Sequence, residues 1–121
     1  MNRSICIRAS FALAVALALA ACSSPPKTLY AWDGYNDAVY SYLKNEASPE
    51  EQVLAFEKGI QTANAKGLTV PPGYYAHLGL VYLKTGRTEQ AINAWEHEKS
   101  LFPESQTYID FLLRNMQKNK G

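Results

Sequence analysis

The sequence predicts an all-α domain built from antiparallel helix pairs, and three observations carry that expectation. Apolar residues between Tyr35 and Met116 recur with the 3.6-residue period of amphipathic helices. Helix start and stop signals punctuate those stripes at Ser48-Pro49, Gly67, Gly86 and Pro103. No stretch alternates convincingly with the two-residue rhythm of a half-buried strand. At 121 residues the chain has room for one such domain.

Residues 1–21 stand apart from it. A short start carrying Arg3 and Arg8 leads into an apolar run from Ala9 to Ala21, broken only by Ser10. Thirteen residues are too few to cross a hydrocarbon layer of about 30 Å as a helix. A basic start, a short apolar region and small residues at its end describe a secretory signal peptide. Its end, Leu19-Ala20-Ala21-Cys22, resembles the bacterial lipobox. That resemblance implies a diacylglycerol on the Cys22 thiol and cleavage that leaves Cys22 as an acylated N-terminus. The other reading is an ordinary signal peptide cut after Ala20, with Cys22 an incidental thiol. Two or more acyl chains hold a protein at a membrane durably, so a lipidated Cys22 would be a lasting anchor. Ser23 follows the cysteine where Asp would signal retention. In Gram-negative lipoproteins this implies the outer membrane, with the domain lipid-anchored at its periplasmic face.

Processing would change the chemistry available. Cys6 would leave with the signal peptide and Cys22 would be acylated. No free thiol would then remain for a disulfide, a metal site or a nucleophile. Removing Arg3 and Arg8 from twelve basic residues leaves ten against eleven acidic ones, a side-chain net charge of −1. That balance, with no basic cluster, argues against nucleic acid. Residues 22–28 read as the lipidated N-terminus and a tether. Ser23 to Thr28, extended at about 3.1 Å per residue, reaches roughly 20 Å. The folded domain then occupies residues 29–121, close to the membrane face.

The first helix presents Tyr35, Ala38, Val39, Tyr42 and Leu43 on one stripe, with Asp33 or Gly34 as its cap. The second opens with Ser48 as N-cap, Pro49 at the first position and Glu51 three residues on, a capping box. It shows Val53, Phe56, Ile60 and Ala63, and Gly67 is placed to end it. Leu68 to Gly73 contains Pro71-Pro72 and reads as a stiff loop. A third helix is expected from Tyr75 to about Lys84, stopping at Gly86. A fourth starts after Thr88, presents Ala91, Ile92, Trp95 and Phe102, and closes at Pro103. The fifth, capped near Ser105, shows Ile109, Leu112, Leu113 and Met116. Arg114, Lys118 and Lys120 stand towards its negative dipole end.

Tyr75-x-x-Leu78-Gly79-x-x-Tyr82, followed by Ala91-x-x-x-Trp95 and Pro103, resembles the tetratricopeptide signature. Small residues at Gly79 and Ala91 would let two helices approach closely, with Tyr82 and Trp95 filling the space around that contact. Tyr35 to Lys44 reads as a degenerate copy of Tyr75 to Lys84, and Tyr42-Leu43-Lys44 precedes Tyr82-Leu83-Lys84 by forty residues. The expectation is two tetratricopeptide-like pairs plus a C-terminal capping helix.

The segments Leu29 to Tyr35, Val70 to Gly79 and Glu98 to Ser105 also resemble a family of small bacterial lipoproteins classed as a domain of unknown function. Members tend to be encoded beside a lipoprotein similar to the curli-secretion channel. The resemblance implies an accessory role at the outer membrane, with such an envelope protein as the partner.

His77 and His97 are the only histidines, and neither sits in an acid–base cluster; zinc would want three or four ligands. No phosphate loop, nucleophile elbow or HExxH pattern is present. The sequence therefore predicts no enzyme, no metal, no cofactor beyond the Cys22 lipid and no small-molecule substrate. Tetratricopeptide proteins line a concave groove with the first helix of each pair. Carried over, those positions are Asn36, Tyr40, Leu43 and Lys44, with Ala76, Leu80, Leu83 and Lys84. Such a groove suits an extended or helical peptide. The alternative is that Leu80 and Leu83 are core, covered by Leu29 to Trp32 folding back. Glu98 replaces a small residue of the repeat, so either the fifth helix docks at an altered angle or Glu98 points outward. The functional expectation is a periplasmic protein-interaction domain. The alternative is a cell-wall or polysaccharide binder using surface tyrosines.

Overall fold

A computed structural model describes Ala14 and residues 27–119 of the chain. The signal peptide, Cys22 and most of the tether lie outside the described residues. The described chain is all-α: α1 (Tyr35–Lys44), α2 (Pro49–Ala65), α3 (Tyr74–Lys84), α4 (Thr88–Leu101) and α5 (Gln106–Lys118), with a 3-10 turn at Pro103–Ser105. Its one β-like feature is a parallel bridge between Tyr30 and Thr69, where the Ala31 N–H donates to the Thr69 carbonyl at 2.9 Å. None of the described helices is long and apolar enough to cross a membrane.

Local chemistry sets most boundaries where the sequence expects them. At α2 the Ser48 hydroxyl accepts from the Glu51 N–H at 3.2 Å, and the Glu51 carboxylate accepts from the Ser48 N–H at 2.8 Å. This reciprocal box satisfies two N–H groups that a helix start leaves without partners. Helix α3 ends in a Schellman closure. The Arg87 N–H reaches back to the Tyr82 carbonyl at 2.9 Å and the Gly86 N–H to Leu83 at 3.0 Å. Gly86 takes φ 74° to make that turn, a conformation costly for residues with a Cβ. The three-residue link that follows returns the chain against α3 as α4.

Two expectations need correction. Helix α3 begins at Tyr74, one residue earlier than expected, because Gly73 turns at φ 89° directly after the prolines. At α5 the Ser105 side chain does not cap its own helix; it donates to Glu98 instead.

The core lies in two linked parts. The larger joins α2, α3 and α4 through Val53, Phe56, Ala63, Tyr74, Leu78, Val81 and Ala91. Half-buried Tyr35, Ala38, Val39 and Tyr42 attach α1 to it, and no residue of α1 is fully buried. The smaller joins α3, α4 and α5 through Ala76, Trp95 and Ile109. Trp95 is the keystone of the second part. Its indole lies against Gly79, and its Nε1–H donates to the Ala76 carbonyl at 3.0 Å. A Cβ at Gly79 would fall inside the indole ring's van der Waals envelope. Tyr74 fills the first part, its hydroxyl donating to the Phe56 carbonyl at 2.9 Å beneath a stacked Tyr35 ring.

Gly79→Ala is therefore expected to cost at least about 2 kcal/mol, since a packed core resists one added methyl. Urea unfolding followed by helical circular dichroism measures it, and an unchanged midpoint would exclude the close approach. Burial first, and Tyr75 and Tyr35 next, push the Tyr74 phenol up to about 12. Burial and then the Glu57 hydrogen bond push Tyr82 up to about 12 as well. Raised native values mean that the neutral phenols favour the fold below their ordinary value near 10. That contribution is lost as pH rises from about 10 towards 12. Tyr74→Phe is expected to lose about 1 kcal/mol at neutral pH and to flatten the alkaline fall in stability. Parallel slopes for the two proteins above pH 10 would contradict this.

Candidate functional site

The eight residues expected to line a groove divide into two groups. Asn36, Tyr40, Leu43 and Lys44 recur at i, i+4, i+7 and i+8 on α1, and all four are exposed. Tyr40 is 54% and Leu43 70% exposed, large apolar surface for a helix of ten residues. The Lys44 ammonium stands 5.6 Å from the Tyr40 ring centroid.

On α3 the arrangement differs. Ala76 is buried, and Leu80 and Leu83 pack with it against Ile109, Leu112, Leu113 and Met116 of α5. The open wall expected at Ala76, Leu80 and Leu83 is thus packed core. Its cover is α5, not the N-terminal segment: Leu29 to Trp32 folds back elsewhere, onto Thr69, Val70 and Phe102. Only Lys84 of the α3 set remains exposed, with its ammonium 3.9 Å from the Tyr42 ring centroid. A cation over an aromatic face at that distance attracts by about 0.5–1 kcal/mol at an exposed site. Burial first, and nearby Tyr108 of α5 second, push the Tyr42 phenol up. The surface shared by α1, α3 and α5 therefore carries Tyr42, Lys84 and Tyr108.

The histidines have structural surroundings. His77 Nδ1 lies 3.1 Å from the Gly73 carbonyl, and the Tyr35 and Tyr42 rings meet His77 edge-on. His97 is exposed and meets the Tyr75 ring at 4.5 Å. Among the described residues no group of three or more His, Cys, Asp or Glu is arranged to hold a metal.

Glu98 overturns the outward reading offered by the sequence. It does not point outward, and its whole side chain is buried at 0% exposure. One carboxylate oxygen accepts from the Gly73 N–H at 2.6 Å and from the Ser105 hydroxyl at 2.9 Å. The other accepts from the Tyr75 N–H at 3.2 Å. Gly73 is the N-cap of α3 and has no side chain, so a carboxylate from α4 performs the capping. The N-terminal end of the helix dipole adds favourable charge there. Next to it, the Lys99 ammonium donates to Asp110 at 2.8 Å and ties α4 to α5. That hydrogen bond raises the Lys99 pKa and lowers that of Asp110.

A model of a domain of unknown function, DUF4810, matches residues 29–112. The chain belongs to the DUF4810 family. The match spans the folded-back segment, α1 to α4 and the first half of α5. No curated protein matches the chain, and no solved structure does. Within this DUF4810 domain Tyr108 and Phe111 of α5, 49% and 53% exposed, belong to none of the sites that the sequence predicts. The signal that finds them is their place off the Ile109-Leu112-Leu113-Met116 stripe.

Glu98→Ala strands two part-buried N–H groups and is expected to cost about 2–4 kcal/mol. Glu98→Gln keeps the shape but sets an amide N–H₂ against a donor, so its loss should be intermediate. Urea midpoints give the order, and a Glu98→Ala protein as stable as the parent would refute the capping role.

Proposed function

We propose that this DUF4810 protein is an outer-membrane lipoprotein whose periplasmic domain holds a segment of another envelope protein. In this reading the domain is a short tetratricopeptide-like array and acts as an accessory of an envelope or secretion assembly. The observation that carries the interaction is the exposed Tyr40 and Leu43 pair on α1, flanked by Asn36 and Lys44. Apolar side chains of that size gain roughly 1.5–3 kcal/mol each when fully covered. Tyr42, Lys84 and Tyr108 extend the same region with aromatic and cationic contacts suited to a peptide. The Gly79–Trp95 contact between α3 and α4 supports the repeat reading, because it is the close approach that the signature requires.

The anchor rests on Leu19-Ala20-Ala21-Cys22 and the location on Ser23. The family's tendency to be encoded beside a lipoprotein similar to the curli-secretion channel supports a partner in the same membrane. In this reading the protein catalyses nothing and carries no cofactor beyond the lipid.

Leu43→Arg is expected to leave the melting temperature within a few degrees, because Leu43 is largely exposed. The same change should abolish recovery of a protein partner from crosslinked envelopes. Retained recovery would move the interaction off α1, and recovery of sacculus fragments without a protein would favour a cell-wall binder. Cys22→Ala is expected to abolish labelling by palmitate and to leave the protein uncleaved or mislocalised. Unchanged membrane association would contradict the anchor.

A further inference from the structure

The segment that leads into α1 keeps large apolar side chains in water. Leu29 is 81% and Trp32 48% exposed, and Tyr30 between them is half-buried. These side chains stand on a fixed backbone. The Ala31 N–H donates to the Thr69 carbonyl at 2.9 Å and the Tyr35 N–H to the Trp32 carbonyl at 3.1 Å. The Trp32 ring meets Tyr30 edge-on at 6.4 Å and Tyr35 at 5.8 Å, the geometry aromatic pairs favour. Tyr30 in turn meets the buried Phe102, and Tyr35 stacks on the buried Tyr74. Trp32 is thus the outer end of a series of rings that begins in the core.

Its place along the chain gives this patch an occupant. Leu29 comes seven residues after Cys22. The residues between them, extended, reach roughly 20 Å. With a lipid on Cys22, the surface where the tether leaves the domain is the one held nearest the bilayer. Tryptophan and tyrosine favour the headgroup level, where the ring body leaves water and its polar tip keeps a partner. Charge agrees with that placement. Asp33 is the one acidic residue from Lys27 to Tyr35, and Lys66 neutralises it in an ion pair. Lys27, on the tether itself, is exposed. Anionic headgroups therefore meet no unpaired carboxylate from this segment, and they attract Lys27.

We propose that Leu29, Tyr30 and Trp32 seat the domain in the headgroup layer of the membrane that holds its lipid. This seating rests on the proposed lipid anchor and adds an orientation to it. An acyl anchor alone leaves the domain free to turn on its tether, whereas a second contact fixes which face looks away from the membrane. Tyr40 and Leu43 lie on the second and third turns of α1, beyond the patch, and stay open to a partner.

The chain's two tryptophans make the test direct, because Trp95 is 1% exposed and hydrogen-bonded inside the core. The lipidated protein is reconstituted in vesicles of phosphatidylethanolamine and phosphatidylglycerol, with and without phospholipid brominated near the headgroup end of its chains. Flotation reads the anchor, and quenching of tryptophan emission reads the seating. Brominated lipid should quench Trp32, and aqueous iodide should not. Trp32→Phe should lose the lipid quenching while it still floats and keeps its helical spectrum. Adding Leu43→Trp to that variant moves the reporter to α1, where lipid quenching should be at least about threefold weaker. Protein that floats with Trp32 open to iodide and untouched by brominated lipid would overturn the seating and leave the anchor standing. Shielding from both quenchers would overturn it too, since another protein surface would then cover the patch. Equal lipid quenching at residues 32 and 43 would overturn the choice of face. Protein that does not float would overturn the anchor and the seating together.

Discussion

The interaction on which the rest of the structure depends is the buried Glu98 carboxylate at the start of α3. The loop through Pro71 and Pro72 delivers a glycine to the N-cap of that helix, and glycine brings no oxygen to its free N–H groups. Those groups are part-buried, and an unpaired donor away from water is costly. Glu98 meets two of them and the Ser105 hydroxyl as well. A carboxylate without solvent is itself expensive, and three hydrogen bonds together with the helix dipole offset that cost. The result is a single group joining α3, α4 and the entry to α5. Trp95, one turn earlier on α4, closes the same contact from its apolar side.

This clamp makes the domain uneven. Helices α3, α4 and α5 share the buried cluster of Ala76, Trp95 and Ile109, and the Lys99–Asp110 ion pair ties α4 to α5. Helix α1 has only half-buried contacts with them and leaves Tyr40 and Leu43 in solvent. Uneven burial of this kind gives regions that open with different free energies. The functional reading follows the same division. In the proposed function the better-packed part supplies Lys84 and Tyr108, and the loosely held helix carries the apolar Tyr40 and Leu43 surface that a partner would cover.

Much of this was legible in the sequence because it is local. Ser48, Pro49 and Glu51 specify a helix start within one turn, and Gly67 and Gly86 specify stops. Gly79 with Trp95 was legible because the repeat signature records a pairwise fit as a spacing. Glu98 was not, since its donors lie 25 and 23 residues away and nothing in Glu96-His97-Glu98-Lys99 marks one carboxylate as buried. Ser105 misled for the same reason, because a tertiary acceptor outcompeted its own helix. The site was half legible. On α1 the helical period alone identifies an exposed face. On α3, whether Ala76 and Leu80 line a groove or a core depends on where α5 docks, and periodicity within α3 does not encode that.

Native-state hydrogen exchange tests the clamp most directly. If Glu98 fixes the start of α3 to α4 and α5, the Gly73 and Tyr75 amides should be the slowest class, exchanging only with global unfolding, together with the buried Trp95 indole N–H. The α1 amides should exchange faster, through a smaller opening. Gly73 and Tyr75 exchanging as fast as α1 would contradict the account, because their hydrogen bonds would then break without the rest of the fold.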